Sequence, residues 1–197
     1  MSRLIVVLAV ALVAAACAPP ATDEVASEPA AEPDEVETEV PTTLPIADEL
    51  PDLGAAPRLE GIDGWLQADI DSLDDLRGKV VVVQFWTFGC FNCKNTLPNL
   101  RALYAEHAGD EFEVVGVHSP EFTYEEDPVA ISEAAEELGV VWPIALDTRQ
   151  RSFFGWQGSP AYWPRTYVLD REGVIRFDHI GEGAYDELNQ TVAALLG

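Results

Sequence analysis

From Lys79 to Leu100 the chain reads "KVVVVQFWTFGCFNCKNTLPNL". It opens as a continuous β-branched and aromatic run, Lys79 to Trp86, the mark of a strand buried on both faces of a mostly parallel sheet. Such a strand belongs at the sheet's centre. After Cys90 the apolar positions fall at Cys93, Leu97, Leu100 and Tyr104, in steps of four, three and four that make one stripe of a helix. Pro98 has no N–H to give and is expected to kink that helix. Two cysteines therefore stand two residues apart, where a buried strand passes into a helix.

The chain has three cysteines. The third, Cys17, lies in an N-terminal segment with the look of a cleaved leader, so Cys90 and Cys93 can bond only each other. A zinc site would need two more ligands at suitable spacing, and His107, His118 and His179 are scattered with no H-x₃₋₅-H pair. A structural staple is the plain alternative. It explains little, because so short a loop removes little chain entropy from the unfolded state. Redox exchange is the reading left. A helix start carries unpaired N–H groups and about half a positive charge, which favour thiolate over thiol. Cys90 is placed there, and thiolate is the attacking species in disulfide exchange. Cys93, one turn later on the apolar stripe, is expected to be less exposed and to resolve the mixed disulfide. Phe85, Trp86 and Phe88 read as core, and His118, at a strand end, as structural.

Working outward, "EFEVVGVHS" (Glu111 to Ser119), "WPIALD" (Trp142 to Asp147) and "RTYVLD" (Arg165 to Asp170) read as strands. "REG" turns "RTYVLD" into "VIRFDHI" as a hairpin. "DPVAISEAAEELGV" starts a helix with Asp127 and then Pro128. "GAYDELNQTVAALL" closes the chain as an amphipathic helix. The alternation predicts one three-layer α/β domain over residues 64–197.

Residues 1–17, "MSRLIVVLAVALVAAAC", carry one base, an apolar run and small residues before cysteine, the pattern of a signal peptide. Small residues directly before cysteine resemble a bacterial lipobox, with Cys17 as the lipidated residue and membrane anchor. Ordinary leader cleavage and secretion is the alternative. Residues 18–63 are rich in Pro, Glu, Asp, Ala and Thr, and hold thirteen acids against one base, Arg58. Half of the chain's net charge of −24 sits here. Such a segment is expected to stay extended as a disordered tether. The acidity argues against nucleic-acid binding, which relies on Lys and Arg.

From about Leu66 to the C-terminus the sequence resembles thioredoxin-fold thiol-disulfide oxidoreductases of the TlpA/ResA type, most closely the extracytoplasmic thioredoxin-like domain of DipZ-type thiol reductases. The resemblance is carried by "LRGKVVVVQFWTFGCFNCKNTLPNL", "VVGVHSPEF", "YWPRTYVLD" and "GEGAYDEL". It implies a thioredoxin-like α/β/α sandwich with a central mixed sheet. It also implies that Cys90 and Cys93 are the active-site pair, cycling between dithiol and disulfide, and that Pro164 is the cis-proline facing them. A cis bond there would expose the backbone of Trp163 for pairing with an extended substrate segment. Members often carry a buried acid near the cysteines, and Glu121 in "HSPEF" is its match. Phe91 and Asn92, between the cysteines, are expected to touch substrate and to help set the potential. The implied partners are protein disulfides or dithiols and a membrane thiol reductase as electron donor, with no bound cofactor and no metal. Two rival expectations stand beside this one. The first is a peroxide-reducing relative, for which "TFGC" supplies only part of the usual Pro- and Thr-rich setting. The second is a non-catalytic thioredoxin-like binding module whose cysteines are a leftover staple.

Overall fold

The computed structural model describes residues 46–68 and 70–197. The leader, Cys17 and residues 18–45 of the expected tether lie outside the described residues. The elements are β1 (Trp65–Leu66), β2 (Val80–Trp86), α1 (Phe91–His107), β3 (Phe112–His118), α2 (Pro128–Leu138), β4 (Ile144–Leu146), α3 (Arg151–Gln157), β5 (Arg165–Leu169), β6 (Ile175–Ile180) and α4 (Tyr185–Leu196).

One six-stranded sheet runs in the order β1-β4-β3-β2-β5-β6. The β2/β3 and β3/β4 pairs are parallel, and the β1/β4, β2/β5 and β5/β6 pairs antiparallel. β2 is central and buried at all seven positions, as its unbroken apolar run requires. Its residues alternate between two cores. Val80, Val82 and Trp86 meet Leu97, Leu100 and Leu103 of α1, Ile131 and Ala135 of α2, and Leu188 and Val192 of α4. Val81, Val83 and Phe85 pack with Phe153 of α3, Tyr167 and Leu76 on the other face. The result is the expected three-layer α/β/α sandwich around a mixed sheet.

The local signals hold at the helix starts and turns. The Asp127 side chain accepts the Val129 N–H at the head of α2, Pro128 takes the first turn, and Gly139 ends the helix at φ +66°. The β5/β6 hairpin turns through Arg171–Gly173, with Asp170 accepting the Glu172 and Val174 N–H groups. α1 runs from Phe91 to His107 with Pro98 inside it. Two elements escaped the sequence reading: β1, only two residues long, and α3.

The domain starts earlier than residue 64. Leu53 N–H donates to the Ile175 carbonyl, Ile175 N–H to the Gly54 carbonyl, and Ala56 N–H to the Gly173 carbonyl, so this stretch extends the sheet beside β6. Ala56, Leu59 and Ile62 pack against the second core. The Pro- and acid-rich composition hid these contacts, because backbone pairing to an open edge strand and a few scattered apolar side chains leave no periodic pattern in the sequence. A chain starting at residue 46 is therefore expected to melt like the parent. One starting at residue 64 should lose about 2–4 kcal/mol, the worth of burying one or two large apolar side chains. Calorimetric melting of the two truncations checks this, and coincident transitions would contradict it.

Candidate active site

β2 delivers the chain to a turn, Thr87–Gly89, and Cys90 is the N-cap of α1. The Cys90 Sγ accepts the Cys93 N–H at 3.2 Å. Cys90 is half-buried, and Cys93 is fully buried. Their acidities diverge accordingly. The Cys90 thiol is lowered to about 7, first by the hydrogen bond from the Cys93 side chain and then by the Cys93 and Asn92 amides, against desolvation and the Glu121 charge. Burial pushes the Cys93 thiol far up, and the Cys90 side chain adds to the effect. At neutral pH the outer sulfur is thus partly thiolate and the inner one stays a thiol.

Beneath the pair, polar groups lock α1 to the sheet. Thr96 Oγ1 donates to the Cys93 carbonyl at 2.7 Å. Gln84, the one polar residue of β2, donates from Nε2 to Thr96 Oγ1 at 2.9 Å and to Thr166 Oγ1 of β5 at 3.2 Å. The sequence reading missed this pin. A lone glutamine inside an apolar strand was the signal for it, since a buried amide needs partners.

The Trp163–Pro164 peptide is cis, with Pro164 buried immediately before β5, the neighbour of β2. Trp163, like Cys90, packs against the core that contains Cys93. Its indole N–H donates to the Ser119 carbonyl at 2.9 Å, and its ring stacks on Phe153 at 4.0 Å. α3 holds Phe153 in place, and Asp147 holds the start of α3. The buried Asp147 carboxylate accepts the Ser152 N–H at 3.1 Å, the Phe153 N–H at 2.8 Å and the Ser119 hydroxyl at 3.0 Å. Burial raises its pKa while those donors pull it back.

Glu121 is exposed, contrary to the expected buried acid. The buried acid is Glu125, at 0% exposure. A short 3₁₀ turn at Thr123–Glu125 folds its side chain inward. There one oxygen accepts the Gly89 N–H at 2.8 Å, and the other accepts the Glu121 and Phe122 N–H groups at 2.6 and 2.9 Å. Three amide donors make burial of the carboxylate tolerable, whereas Glu121 contributes its backbone to that cradle and leaves its own side chain in solvent. His118, at the end of β3, is 1% exposed, and burial pushes it down to about 4 with the Glu125 charge partly offsetting.

Around the half-buried sulfur the surface is aromatic. Phe91 is 73% exposed, Phe122 51% and Tyr124 59%. Phe122 and Tyr124 stack at 5.7 Å, and Tyr124 meets Phe88 edge-on at 5.9 Å. Asn92 is exposed beside Phe91. Such exposed aromatics commonly mark contact surfaces.

The sequence matches the AhpC/TSA family over residues 46–178, a span that holds β1 to β5, both cysteines, Glu125 and Pro164. The chain belongs to the AhpC/TSA family. Its fold is thioredoxin-like. Protein DipZ of Mycobacterium tuberculosis (strain CDC 1551 / Oshkosh) is 37% identical over 154 residues, which cover 76% of this chain and 22% of DipZ. The chain thus spans about a fifth of that relative. Thiol-disulfide oxidoreductase YkuV of Bacillus subtilis (strain 168) is 27% identical over 140 residues, 71% of this chain and 93% of YkuV. Among solved structures, a thioredoxin-like protein in its oxidized form is 28% identical with a TM-score of 0.64, over 72% of this chain and 94% of that one. The thioredoxin domain of a thiol-disulfide oxidoreductase from Bacteroides vulgatus is 25% identical with a TM-score of 0.59, over 75% and 99% of the two chains.

Proposed function

We propose that this protein is an extracytoplasmic dithiol reductant that opens disulfides in partner proteins through Cys90 and Cys93. One observation carries the reading. Cys90 caps a helix with a thiol lowered to about 7, while Cys93 sits fully buried one turn behind it.

The chemistry follows from that asymmetry. The Cys90 thiolate attacks one sulfur of a substrate disulfide, forming a mixed disulfide and expelling the other substrate sulfur as a thiolate, which takes a proton. Cys93 then gives up its proton and attacks the Cys90 sulfur, forming the Cys90–Cys93 disulfide and releasing the second substrate thiol. Two electrons and the Cys93 proton pass from the protein to the substrate, and solvent supplies the second proton that the first expelled thiolate takes up. The pair must then be re-reduced by an external dithiol donor, and a membrane thiol reductase is proposed for this. Pro164 and the backbone of Trp163 line the face an extended substrate would meet, with Phe91 and Asn92 beside it. A leader ending at a lipidated Cys17 would keep the enzyme near its donor at the membrane, held off by the acidic segment. The resemblance to DipZ-type modules and the leader pattern support the location.

The test is reduction of insulin by the purified dithiol form. The expected result is one disulfide opened per pair oxidised, lost in Cys90→Ser. Consumption of peroxide with no exchange on protein disulfides would replace this reading with the peroxide-reducing one. No thiol chemistry at all would leave a binding module.

A further inference from the structure

We infer that His118 and Glu125 are positioning residues for the nucleophile, acting through the turn that carries it. The inference rests on the reading of Cys90 as the attacking thiol. Three consecutive amides lead into α1, and each has an acceptor. Phe88 N–H points to His118 Nε2 at 3.4 Å, Gly89 N–H to Glu125 Oε1 at 2.8 Å, and Cys90 N–H to the Thr87 carbonyl at 3.3 Å. Thr87 Oγ1 lies 3.3 Å from the same His118 nitrogen. Because a backbone amide can only donate, Nε2 accepts here, which places the neutral ring's proton on Nδ1, a buried atom with no hydrogen-bond partner among the described residues. The ring is held for this task, stacked on Phe88 at 5.6 Å and edge-on to Trp86 at 5.4 Å.

Glu125 completes the arrangement from the other side. Its second oxygen takes the Glu121 and Phe122 amides, so one carboxylate ties the turn before Cys90 to the loop after β3. Residue 89 must be glycine for this, since a Cβ there would stand 2.1 Å from Glu125 Oε1 and 2.6 Å from the Tyr124 hydroxyl. Neither His118 nor Glu125 forms a hydrogen bond with a cysteine in this arrangement. They act on the backbone, and the backbone sets how Cys90 Sγ meets the Cys93 amide. The titratable groups facing the sulfurs are Cys93 and Glu121 for Cys90, and Cys90 and Glu125 for Cys93, while Glu125 also faces His118.

The experiment is the pH profile of Cys90 alkylation by iodoacetamide in the reduced full chain, with thermal melting recorded on each variant. His118→Phe keeps a ring and removes the acceptor, so the Cys90 midpoint should rise by about half to one unit and the alkylation rate at pH 7 should fall about two- to fivefold. At pH 10 the rate should match the parent. His118→Gln, whose amide oxygen reaches the Nε2 position, should recover most of the loss. Glu125→Gln should also raise the midpoint, although removing a negative charge would by Coulomb's law alone lower it. Should His118→Phe fail to melt cooperatively, Gly89→Ala, which forces Glu125 off the turn, carries the same expected rise. Unchanged or lowered midpoints in the folded variants overturn the inference. Loss of insulin reduction with these shifts intact would instead count against the proposed function alone.

Discussion

Cys93→Ser is expected to accumulate mixed disulfides with partner proteins, at least about tenfold more than Cys90→Ser, while disulfide turnover falls on the order of a hundredfold or more in both. The reason is the unequal burial. Cys90 reaches solvent and its thiol is lowered to about 7, so it still attacks when its partner is a hydroxyl. Cys93 is 0% exposed with its thiol pushed up, so in Cys90→Ser no accessible thiolate remains. Non-reducing electrophoresis of extracts from cells carrying each variant reads the difference. Equal trapping would mean that the roles are wrongly assigned.

Asp147→Ala is expected to destabilise the domain by about 3–5 kcal/mol, because it strands two buried amides and a hydroxyl that share one carboxylate, each worth about 1–3 kcal/mol when orphaned. The damage should reach the active site. Without the cap, α3 loosens, Phe153 loses its place, and the Trp163 ring stacked on it at 4.0 Å loses its support. Asp147→Asn retains one accepting oxygen and should lose less. Chemical denaturation of both variants measures the ordering, and an alanine variant as stable as the parent would show that the amides find other acceptors.

Legibility followed burial and period. β2 was readable because a strand packed on both faces must be apolar at nearly every position, and the helix after it because its inward stripe repeats at Cys93, Leu97 and Leu100. The two cysteines were found because their residue type carries chemistry that the flanking elements place together, whereas Pro164 was found through the family resemblance carried by "YWPRTYVLD". α3 was not readable. Its seven residues begin after Gln150 at φ +56°, with no side-chain cap, and are held by Asp147 from another element. Choosing between Glu121 and Glu125 was beyond the sequence for a related reason. "EFTYEED" offers several acids, and a 3₁₀ turn plus three amides, one of them from Gly89 far along the chain, decides which one turns inward. The early start of the domain was lost to composition, since pairing of Leu53–Ala56 with the open edge strand leaves no periodic trace.

The central claim is that the fold makes one thiolate of this pair reactive and keeps the other thiol in reserve. Alkylation of the fully reduced chain across pH 5 to 10, with each cysteine followed separately by mass spectrometry, tests it most directly. The account predicts that Cys90 labels with a midpoint near 7 while Cys93 stays unlabelled throughout the native range. Labelling of Cys93 first, or a Cys90 midpoint at the ordinary thiol value of about 8.5, would contradict it.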